Sequence, residues 1–424
     1  MTAPHSAGGE PTIAFISLHA SPLARLGNRE NGGLNVYVRA VCEELGARGV
    51  HTDVFVRKSD PDQPDEQAMG PRSRVIAVEA GPPRPLAKHQ LPLTRQDYLE
   101  AVRRYTRGAR RRYIAVHSHY WLSGEAGAAL AADLELPWLH TAHTLAAVKG
   151  EAGFDGDGPE RLLAERRTVA AGARLVVNTG GEANALHHHY GARPGQCVVA
   201  PPGVDLVRFQ PRNAERLRRR MGLDGSKVIL FAGRLEPLKG PDTLLDAFSV
   251  LKGHPQLGGR TKLLFVGELS SEGERVGQRR EMLQRTEGLG LTDDVAFLGA
   301  QPQERLALLY CLADLVVVPS HTESFGLVAL EAQACGTPVV ASAVGGLREV
   351  VADGRTGHLV DGRDPQQYAA AMARVLTADR AANLAMRQAA RRRAERFTWE
   401  RTVDVLLPEY GLAPAWAAVA GRQG

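Results

Sequence analysis

The stretch TIAFISLHASPLARLGNRENGGLNVYVRAVCEELGARGVHTDVFVR, residues 12–57, decides the fold of the first half of the chain. Its first segment, 12–20, is an apolar run bounded by polar residues, as is typical of a buried parallel strand. A glycine-bearing loop, 27–33, leads into a segment with apolar residues at helical spacing, and 51–57 returns to a strand pattern. Strand, glycine loop, helix and strand form one βαβ unit.

The same pattern of strand and helix recurs along the rest of the chain. Further apolar runs predict strands in the first half, at 113–119, 137–143, 173–179 and 196–205. A second series of strands is predicted in the other half, at 227–235, 262–268, 295–300, 314–320, 337–342 and 357–360. Helical segments separate most of these runs, as in parallel sheets with crossover connections. We therefore predict an α/β protein of two Rossmann-like, doubly wound domains, joined near 206–226 and facing a central cleft.

The composition is that of a soluble globular protein and argues against several classes. The 424 residues are 44% hydrophobic and 23% charged, and no run approaches the ~20 apolar residues of a membrane span. The N-terminal segment 1–11 lacks the pattern of a signal peptide, so a cytoplasmic location is expected. The four cysteines show no CxxC spacing, which argues against a disulfide framework or a cysteine metal site.

The net charge of +5 arises from basic clusters such as 103–112, 216–220 and 391–396. Each cluster lies in a helical segment, where a solvated face is the ordinary explanation. Aromatic residues make up 5% of the chain, so nucleic-acid binding is not expected. The helix after the glycine loop carries acidic residues on its polar face, so membrane binding is not expected either. A mildly basic protein suits an anionic small substrate.

Polar residues cluster where the predicted strands end, which is where doubly wound sheets bind ligands. In the first half these residues are Ser17, His19, His117, His119, Tyr120, His140, His143 and Thr144. In the second half they are Arg234, Glu268, Ser320 and Glu323. Histidines scattered through a core would show no such bias, so both sets are predicted to face one cleft.

Two cations follow the first strand of the second half. In GRLEPLKG (233–240), Arg234 and Lys239 lie five residues apart across a proline turn at a strand-to-helix junction. Guanidinium and ammonium groups at that place, together with the free N–H groups of the helix start, suit a diphosphate. Two surface cations in a loop would be the ordinary explanation if this segment stood alone.

The segment HTESFGLVALE (321–331) contains two glutamates, Glu323 and Glu331. Glu323 precedes a predicted helix, and Gly326 lets backbone approach a ligand closely. Glu331 lies about two turns along the helix among apolar neighbours. An ionised carboxylate is a strong acceptor for sugar hydroxyls, and an unpaired buried one would be costly. A ligand partner is therefore the favoured explanation for Glu331.

These motifs resemble the donor-domain signature of GT-B retaining glycosyltransferases of family 4. The resemblance rests on GRLEPLKG, PSHTESFGLVALEA (319–332) and GTPVVAS (336–342), and on the spacing of the two glutamates. It implies that Arg234 and Lys239 hold the diphosphate, that Glu323 contacts the transferred sugar and that Glu331 binds the ribose. The other donor-binding positions are Gln301, Phe325, Gly326 and Leu327.

The first half resembles the glycosyltransferases of mycothiol biosynthesis, which add N-acetylglucosamine to inositol phosphate. HSHYWLSG (117–124) and HTAHTLAAVK (140–149) carry this likeness. It implies that the backbone of Gly32 and Gly33 approaches the β-phosphate and that His143 contacts the donor sugar. The implied acceptor-binding residues are His19, Asn35, Lys88, Tyr120, Thr144 and Arg161. Two cations and two hydroxyls among them would hold the acceptor phosphate.

The resemblance also implies a domain plan and a mechanism. An acceptor-binding domain would span 1–206 and a nucleotide-sugar domain 207–396, with a helix at 397–424 crossing back to the first domain. The acceptor would attack from the face that the diphosphate leaves, with retention of configuration, and a phosphate oxygen would take the proton. The implied catalytic residues are His143, Arg234, Lys239 and Glu323. A homodimer is expected from the resemblance alone.

No metal or other cofactor is expected, since Arg234 and Lys239 would stabilise the leaving diphosphate. The acidic pairs Asp60–Asp62 and Asp155–Asp157 lie in polar loops and are interpreted as solvated turns. Adjacent histidines in HHHY (187–190) point in different directions on a helix, which argues against a metal site there.

Several alternatives stay open at this point. The glycine loop reads ENGGLN, and Gln301 stands where related enzymes carry arginine, so the donor need not be UDP-N-acetylglucosamine. One alternative is a specialised-metabolite glycosyltransferase with a GDP-linked donor or a thiol acceptor, and another is an enzyme similar to sucrose-phosphate synthase. A phosphorylase, an epimerase and an idle binding protein are less favoured. The chain lacks a pyridoxal-phosphate lysine signature, and its set of implied donor-site residues is complete.

Overall fold

The computed structural model describes residues 10–24, 32–109, 111–154, 158–268 and 275–412. The chain divides into two compact units. Within the described residues, unit 1 contains 10–24, 33–109, 111–154, 158–200 and 400–412, and unit 2 contains Gly32, 201–268 and 275–399. Residues 206–226, where the linker is predicted, belong to unit 2 by this division.

Unit 1 is built on one sheet, which has eight strands within its described residues. In chain order the strands are β1 Pro11–Ile16, β2 His51–Arg57, β3 Glu66–Gly70, β4 Ser73–Val78, β5 Arg112–His119, β6 Trp138–Thr141, β7 Arg174–Val177 and β8 Cys197–Val199. Across the sheet they run β3-β4-β2-β1-β5-β6-β7-β8, and every pair is parallel except β3 with β4. Because β1 lies between β2 and β5, the winding direction reverses there, which opens a crevice at its carboxyl end.

The hairpin of β3 and β4 is the part of this sheet that the sequence analysis did not predict. β3 is an edge strand whose first three residues are exposed, so it lacks the apolar run that marks the other strands. Polar side chains hold this edge instead. Arg74 of β4 pairs with the buried Asp53 of β2 at 2.7 Å and with Glu66 of β3 at 2.5 Å.

The helices described in unit 1 connect these strands and end with the last helix of the chain. They are α1 Gly33–Ala47, α2 Arg95–Gly108, α3 Trp121–Leu134, α4 Ala146–Glu151, α5 Gly158–Ala170 and α6 Gly180–Tyr190, and then α15 Trp399–Glu409, whose residues from Glu400 onwards belong to this unit. Arg48 at the end of α1 donates to Asp404 of α15 at 2.6 Å, and Arg174 of β7 donates to both carboxylate oxygens of Glu409 at 2.7 and 2.9 Å. Residues 413–424, the rest of the predicted crossover helix, lie outside the described residues.

Unit 2 has one parallel sheet. Its strands within the described residues are β9 Lys227–Ala232, β10 Thr261–Val266, β11 Val295–Phe297, β12 Leu315–Val318, β13 Val339–Ser342 and β14 Gly357–Val360. The order across the sheet is β11-β10-β9-β12-β13-β14, so the winding direction reverses at β9. Each strand falls inside a predicted run or within one residue of it, and the runs predicted for β9 to β12 extend beyond the strands into the carboxyl-end loops.

Helices pack on both faces of the unit 2 sheet. They are α7 Glu215–Arg220, α8 Pro241–Lys252, α9 Arg275–Gly288, α10 Gln303–Leu312, α11 Leu327–Ala334, α12 Leu347–Val350, α13 Pro365–Leu376 and α14 Arg380–Ala394. Along β9, Val228 and Leu230 enter a core with α10 and α11, while Ile229 and Phe231 enter a second core with α8 and α13. This alternation explains why the strand is apolar throughout. Across the described part of both units, no helix combines the length and apolar character needed to span a membrane.

Candidate active site

The carboxyl end of β9 carries the two predicted diphosphate-binding cations. The Arg234 guanidinium forms an ion pair with Glu236 at 3.0 Å. Lys239 ends a short 3-10 turn, and α8 begins two residues later. A Cβ at the intervening Gly240 would lie 2.3 Å from the carbonyl oxygen of Pro319, so only glycine lets this turn approach the loop that follows β12.

Lys239 and Glu323 are in direct contact. Lys239 Nζ donates to Glu323 Oε2 at 2.7 Å, and Ser320 Oγ donates to the same oxygen at 3.3 Å. The side chains of the ion pair are 25% and 18% exposed, so solvent reaches both charges. The structure thus brings one predicted diphosphate ligand together with the predicted sugar ligand.

Close backbone contacts hold the loop of Glu323 in place. Gly345 has φ 45°, and a Cβ there would lie 1.9 Å from the carbonyl oxygen of Glu323. The neighbouring Gly346 N–H donates to that oxygen at 3.1 Å. Gly326, with φ 105°, is the N-cap residue of α11. The glycines therefore fix the backbone on which Glu323 is presented.

Glu331 lies inside α11 and is 8% exposed. Burial raises its pKa to about 7, while the hydrogen bond from Tyr310 and the charge of Arg208 act in the opposite direction. Tyr310 Oη donates to Glu331 Oε2 at 3.0 Å. This protein partner was not predicted from the sequence. It supplies one hydrogen bond to the carboxylate without any ligand. Tyr310 and Glu331 lie 21 positions apart on different helices, so no local spacing signals the contact.

The remaining predicted donor positions differ in character. Gln301 follows β11, and its amide nitrogen donates to the carbonyl oxygen of Leu298 at 2.6 Å. Phe325 is 3% exposed and packs edge-on against Phe397, with ring centroids 5.6 Å apart, so its side chain belongs to the core of unit 2. Leu327 is the first residue of α11 and is half-buried.

Four of the predicted acceptor-binding residues form one cluster in unit 1. Arg161 Nη1 donates to Tyr120 Oη at 3.3 Å, and Nη2 donates to Thr144 Oγ1 at 2.9 Å and to its carbonyl oxygen at 2.7 Å. The Tyr120 ring also contacts the His19 ring, with centroids 4.4 Å apart, and the Arg161 guanidinium lies 5.0 Å from the Tyr120 centroid. Residues from four separate segments therefore meet at the carboxyl edge of the sheet.

A buried acid that the sequence analysis missed holds this cluster. Arg161 and Glu165 are 0% and 3% exposed, and Arg161 Nε donates to Glu165 Oε1 at 2.7 Å. The other carboxylate oxygen accepts from Tyr190 Oη at 2.5 Å and from the N–H of Ala146 at 3.0 Å. The four-residue spacing of Arg161 and Glu165 on one helix is the signal that could have found the pair.

The other predicted residues of unit 1 lie at its loops and first helix. Asn35 is buried in the first turn of α1, and its Nδ2 donates to the carbonyl oxygen of Ser21 at 2.6 Å. Gly33 begins α1, and a Cβ at Gly32, which the division into units assigns to unit 2, would meet nothing within 4 Å among the described residues. Lys88 is half-buried and begins the 3-10 helix Lys88–Thr94.

Buried histidines lie at the ends of β5 and β6. Burial lowers the pKa of His140 and His143 to about 3, and the pKa values of His117 and His119 are also well below the usual value because both rings are buried. His117 is bonded through both ring nitrogens, to Tyr410 Oη at 2.7 Å and to Thr141 Oγ1 at 2.8 Å. These rings are therefore neutral at physiological pH.

No cluster of metal-binding side chains occurs among the described residues. The N–H of Asp62 donates to Asp60 Oδ1 at 3.0 Å in an exposed turn. Asp155–Asp157 lies outside the residues that the structure describes. His187, His188 and His189 lie on consecutive positions of α6.

Two doubly wound units with cations and carboxylates at the carboxyl ends of their strands are typical of the GT-B class of glycosyltransferases. Two family models match the chain: the Glycosyl transferase 4-like domain over residues 32–203 and Glycosyl transferases group 1 over residues 213–394. The chain belongs to this glycosyltransferase family, family 4 of the GT-B enzymes, and the resemblance stated from the sequence motifs is confirmed.

Several relatives within the family match nearly the whole chain. A D-inositol 3-phosphate glycosyltransferase of Geodermatophilus obscurus is 46% identical, covering 97% of this chain and 91% of the relative. One from Acidothermus cellulolyticus is 44% identical, covering 97% and 92%. Among solved structures, a sucrose-phosphate synthase from Thermosynechococcus elongatus matches with a TM-score of 0.83 at 34% identity, over 97% of this chain and 98% of that chain.

Proposed function

We propose that this glycosyltransferase moves N-acetylglucosamine from UDP-N-acetylglucosamine to inositol phosphate, with retention of configuration. The observation that carries the proposal is the cluster of Arg161, Tyr120, Thr144 and His19 in unit 1. One guanidinium and two hydroxyls converge there, which is the chemistry of a phosphate site. The relatives named D-inositol 3-phosphate glycosyltransferase, similar over nearly the whole chain, support the acceptor.

On this proposal unit 2 binds the donor. A GT-B structure of 21% identity and TM-score 0.72, HepE of Anabaena, is in complex with UDP and glucose, which supports a nucleotide-sugar donor. Arg234 and Lys239 would bind the diphosphate, and Glu331 would accept from the ribose hydroxyls. Glu323 would bind the sugar, exchanging its bond to Lys239 for bonds to sugar hydroxyls.

In the proposed mechanism the protein positions the substrates and stabilises the leaving group. Lys239 and Arg234 would neutralise the charge that develops on the departing diphosphate. The acceptor hydroxyl would attack from the face that the diphosphate leaves, and a phosphate oxygen would take its proton. No divalent metal enters this scheme. A cytoplasmic homodimer is part of the same proposal.

The sucrose-phosphate synthase match favours one second candidate, an enzyme that glycosylates a hexose phosphate. Both acceptors carry a phosphate, so the same cluster in unit 1 would bind either. The two acceptors differ in the ring to which the phosphate is attached, and the contacts proposed above involve only the phosphate.

A matrix of donors and acceptors tests the proposal. Calorimetry with UDP, GDP and ADP identifies the nucleotide, and turnover of UDP-N-acetylglucosamine is then measured with inositol phosphate, free inositol and a hexose phosphate, with and without a chelator. We expect UDP to bind most tightly and inositol phosphate to be the acceptor with the highest kcat/KM. NMR of the product would show whether the anomeric configuration is retained. Turnover with the hexose phosphate alone would favour the second candidate, and preference for GDP would overturn the donor assignment.

A further inference from the structure

His143 occupies an unusual backbone conformation at the predicted sugar site. Its φ is 61°, in the left-handed region that non-glycine residues rarely adopt. The side chain is half-buried, and its ring lies edge-on to the ring of Tyr37, with centroids 5.2 Å apart. Strained backbone of this kind persists only where the surrounding structure holds it, and it is concentrated at functional sites.

His119 contacts one ring nitrogen of His143. The two histidines are joined through His119 Nδ1 and His143 Nε2, which lie 3.0 Å apart. His119 is 0% exposed, and its ring stacks on Phe15 at 5.2 Å with an interplanar angle of 13°. The His117 ring lies 4.2 Å away. Packing therefore fixes the orientation of the His119 ring.

The direction of this hydrogen bond follows from the second nitrogen of His119. Among the described residues, His119 Nε2 is buried without a hydrogen-bond partner. A buried N–H without an acceptor is rarer and more costly than a lone pair without a donor, so the proton of His119 belongs on Nδ1. His119 Nδ1–H then donates to His143 Nε2, and the proton of the neutral His143 ring must lie on Nδ1.

We propose that His119 is a positioning residue that fixes His143 as the Nδ1–H tautomer, so that His143 offers the donor sugar a hydrogen-bond donor. This inference rests on the proposed function and on the contact between His143 and the donor sugar that the family resemblance implies. The ring would then recognise an oxygen of the sugar that accepts a hydrogen bond. The other tautomer would present a lone pair and would require a hydroxyl proton to point at it.

The tautomer can be read directly, without turnover. The full-length protein is labelled with ¹⁵N-histidine, and the ring nitrogen shifts and their couplings identify which nitrogen carries the proton; the signals of His143 are assigned by their loss in His143→Gln. We expect Nδ1 of His143 to be protonated and Nε2 to accept. Protonation of His143 at Nε2 in the wild type would overturn the inference, whatever the variants do.

A matched pair of variants tests the consequence for transfer. Asparagine at position 119 can place an amide N–H near the position of Nδ1, whereas phenylalanine retains the ring and removes the donor. We expect His119→Phe to lower kcat about tenfold, the effect of one hydrogen bond, with little change in acceptor KM. His119→Asn should recover most of kcat and the wild-type tautomer of His143.

The two variants distinguish a positioning role of His119 from a role in packing alone. If phenylalanine supports transfer as well as histidine does, or if His119→Asn is as impaired as His119→Phe while both fold, the positioning role is wrong. A wild-type protein that transfers no sugar in the donor and acceptor matrix would instead refute the proposed function. The NMR measurement of the tautomer would still decide the state of His143 in that case.

Discussion

Two ion pairs of equal length, one at the carboxyl edge of each sheet, differ in their exposure to solvent. Arg161 and Glu165 in unit 1 approach to 2.7 Å and are 0% and 3% exposed. Lys239 and Glu323 in unit 2 also approach to 2.7 Å, with 25% and 18% exposure. The two pairs therefore differ in burial and not in distance: one is fixed in the interior, and solvent reaches the other.

The physical basis is the cost of leaving a charge unpaired. Removal of one member of a buried pair leaves the other charge without water or partner, whereas an exposed charge regains its hydration. Arg161 is held by Glu165, Tyr120 and Thr144, so its position is fixed by the fold itself. Lys239 and Glu323 are partly exposed, so separating them would cost little, as the proposed exchange of Glu323 for a diphosphate oxygen requires.

The largest effect is expected from breaking the buried pair. Arg161→Met should lower the free energy of unfolding by about 3–5 kcal/mol, because Glu165 is left buried and uncompensated. Equilibrium urea unfolding measures the change. The double variant Arg161→Met/Glu165→Met should recover part of the loss, because it removes both charges. Unchanged stability of the single variant would contradict the contrast drawn between the two pairs.

Breaking the exposed pair should affect catalysis more than stability. Lys239→Met should change the free energy of unfolding by less than about 1 kcal/mol and lower kcat by about 10²–10³, as expected for the loss of a charge at the leaving group. Lys252→Met is the matched control, because Lys252 pairs with Asp294 at 2.7 Å with 20% and 19% exposure, at the amino end of β11. It should cost similar stability and leave kcat intact. Equal loss of kcat in both variants would refute the assignment of Lys239.

A smaller and more selective effect is expected at the acceptor cluster. Thr144→Val keeps the shape of the side chain and removes the hydroxyl that Arg161 contacts. We expect the acceptor KM to rise about tenfold or more, since hydrogen bonds to charged groups are worth about 1.5–3 kcal/mol, while the donor KM is unchanged. Thr168→Val on α5 is the control, because its buried hydroxyl donates to Ala164 within the helix. Parallel changes in both KM values of Thr144→Val would contradict an acceptor role.

The smallest effect is a pH dependence of nucleotide binding. The pKa of Glu331 is raised to about 7, so the carboxyl group is protonated at pH 6 and ionised at pH 8. The ionised form accepts more strongly from ribose hydroxyls, so the Kd for UDP should fall across this range, by up to about tenfold. The folded chain holds a proton that the unfolded chain releases near pH 4.5, so this group makes the fold less stable as the pH rises from 4.5 towards 7.

Tyr310→Phe sharpens that test. The hydroxyl of Tyr310 favours the ionised carboxylate, so its removal should move the midpoint of UDP binding to higher pH. Calorimetry between pH 5.5 and 8.5 measures the shift. Tyr368→Phe is the control, since that buried hydroxyl bonds Ser342 in the same unit. A pH-independent Kd in the wild type would refute the role of Glu331 in ribose binding.

The sequence predicted the elements that have a continuous or periodic apolar pattern, or that are bounded by glycine or polar residues. The strands that unit 2 shows lie within or beside apolar runs, because strands buried on both faces read as continuous hydrophobic segments. The glycines at 326 and 345–346 and the polar residues after the strands also stand out locally. The β3–β4 hairpin did not, because its edge strand is exposed and polar.

Side-chain contacts that depend on how the elements pack could not be predicted. Glu165 was missed as the partner of Arg161, although the spacing allows it, because nothing in the sequence shows that the helix face is buried. The hydrogen bonds of Tyr310 with Glu331 and of His119 with His143 depend on how helices and strands pack. A single sequence does not show this packing. The candidate residues were therefore predicted by type and place, and their partners required the structure.

The hydrogen bond of Tyr410 with His117 bears on how the protein is made. His117 lies on a central strand of unit 1, yet its Nδ1 partner comes from the last described residues of the chain, after the whole of unit 2. On a ribosome, the first two hundred residues emerge long before residue 410, so unit 1 must wait with this buried imidazole incompletely satisfied. Its final consolidation is therefore tied to the synthesis of Tyr410, and nascent chains released before that residue would carry an incomplete unit 1.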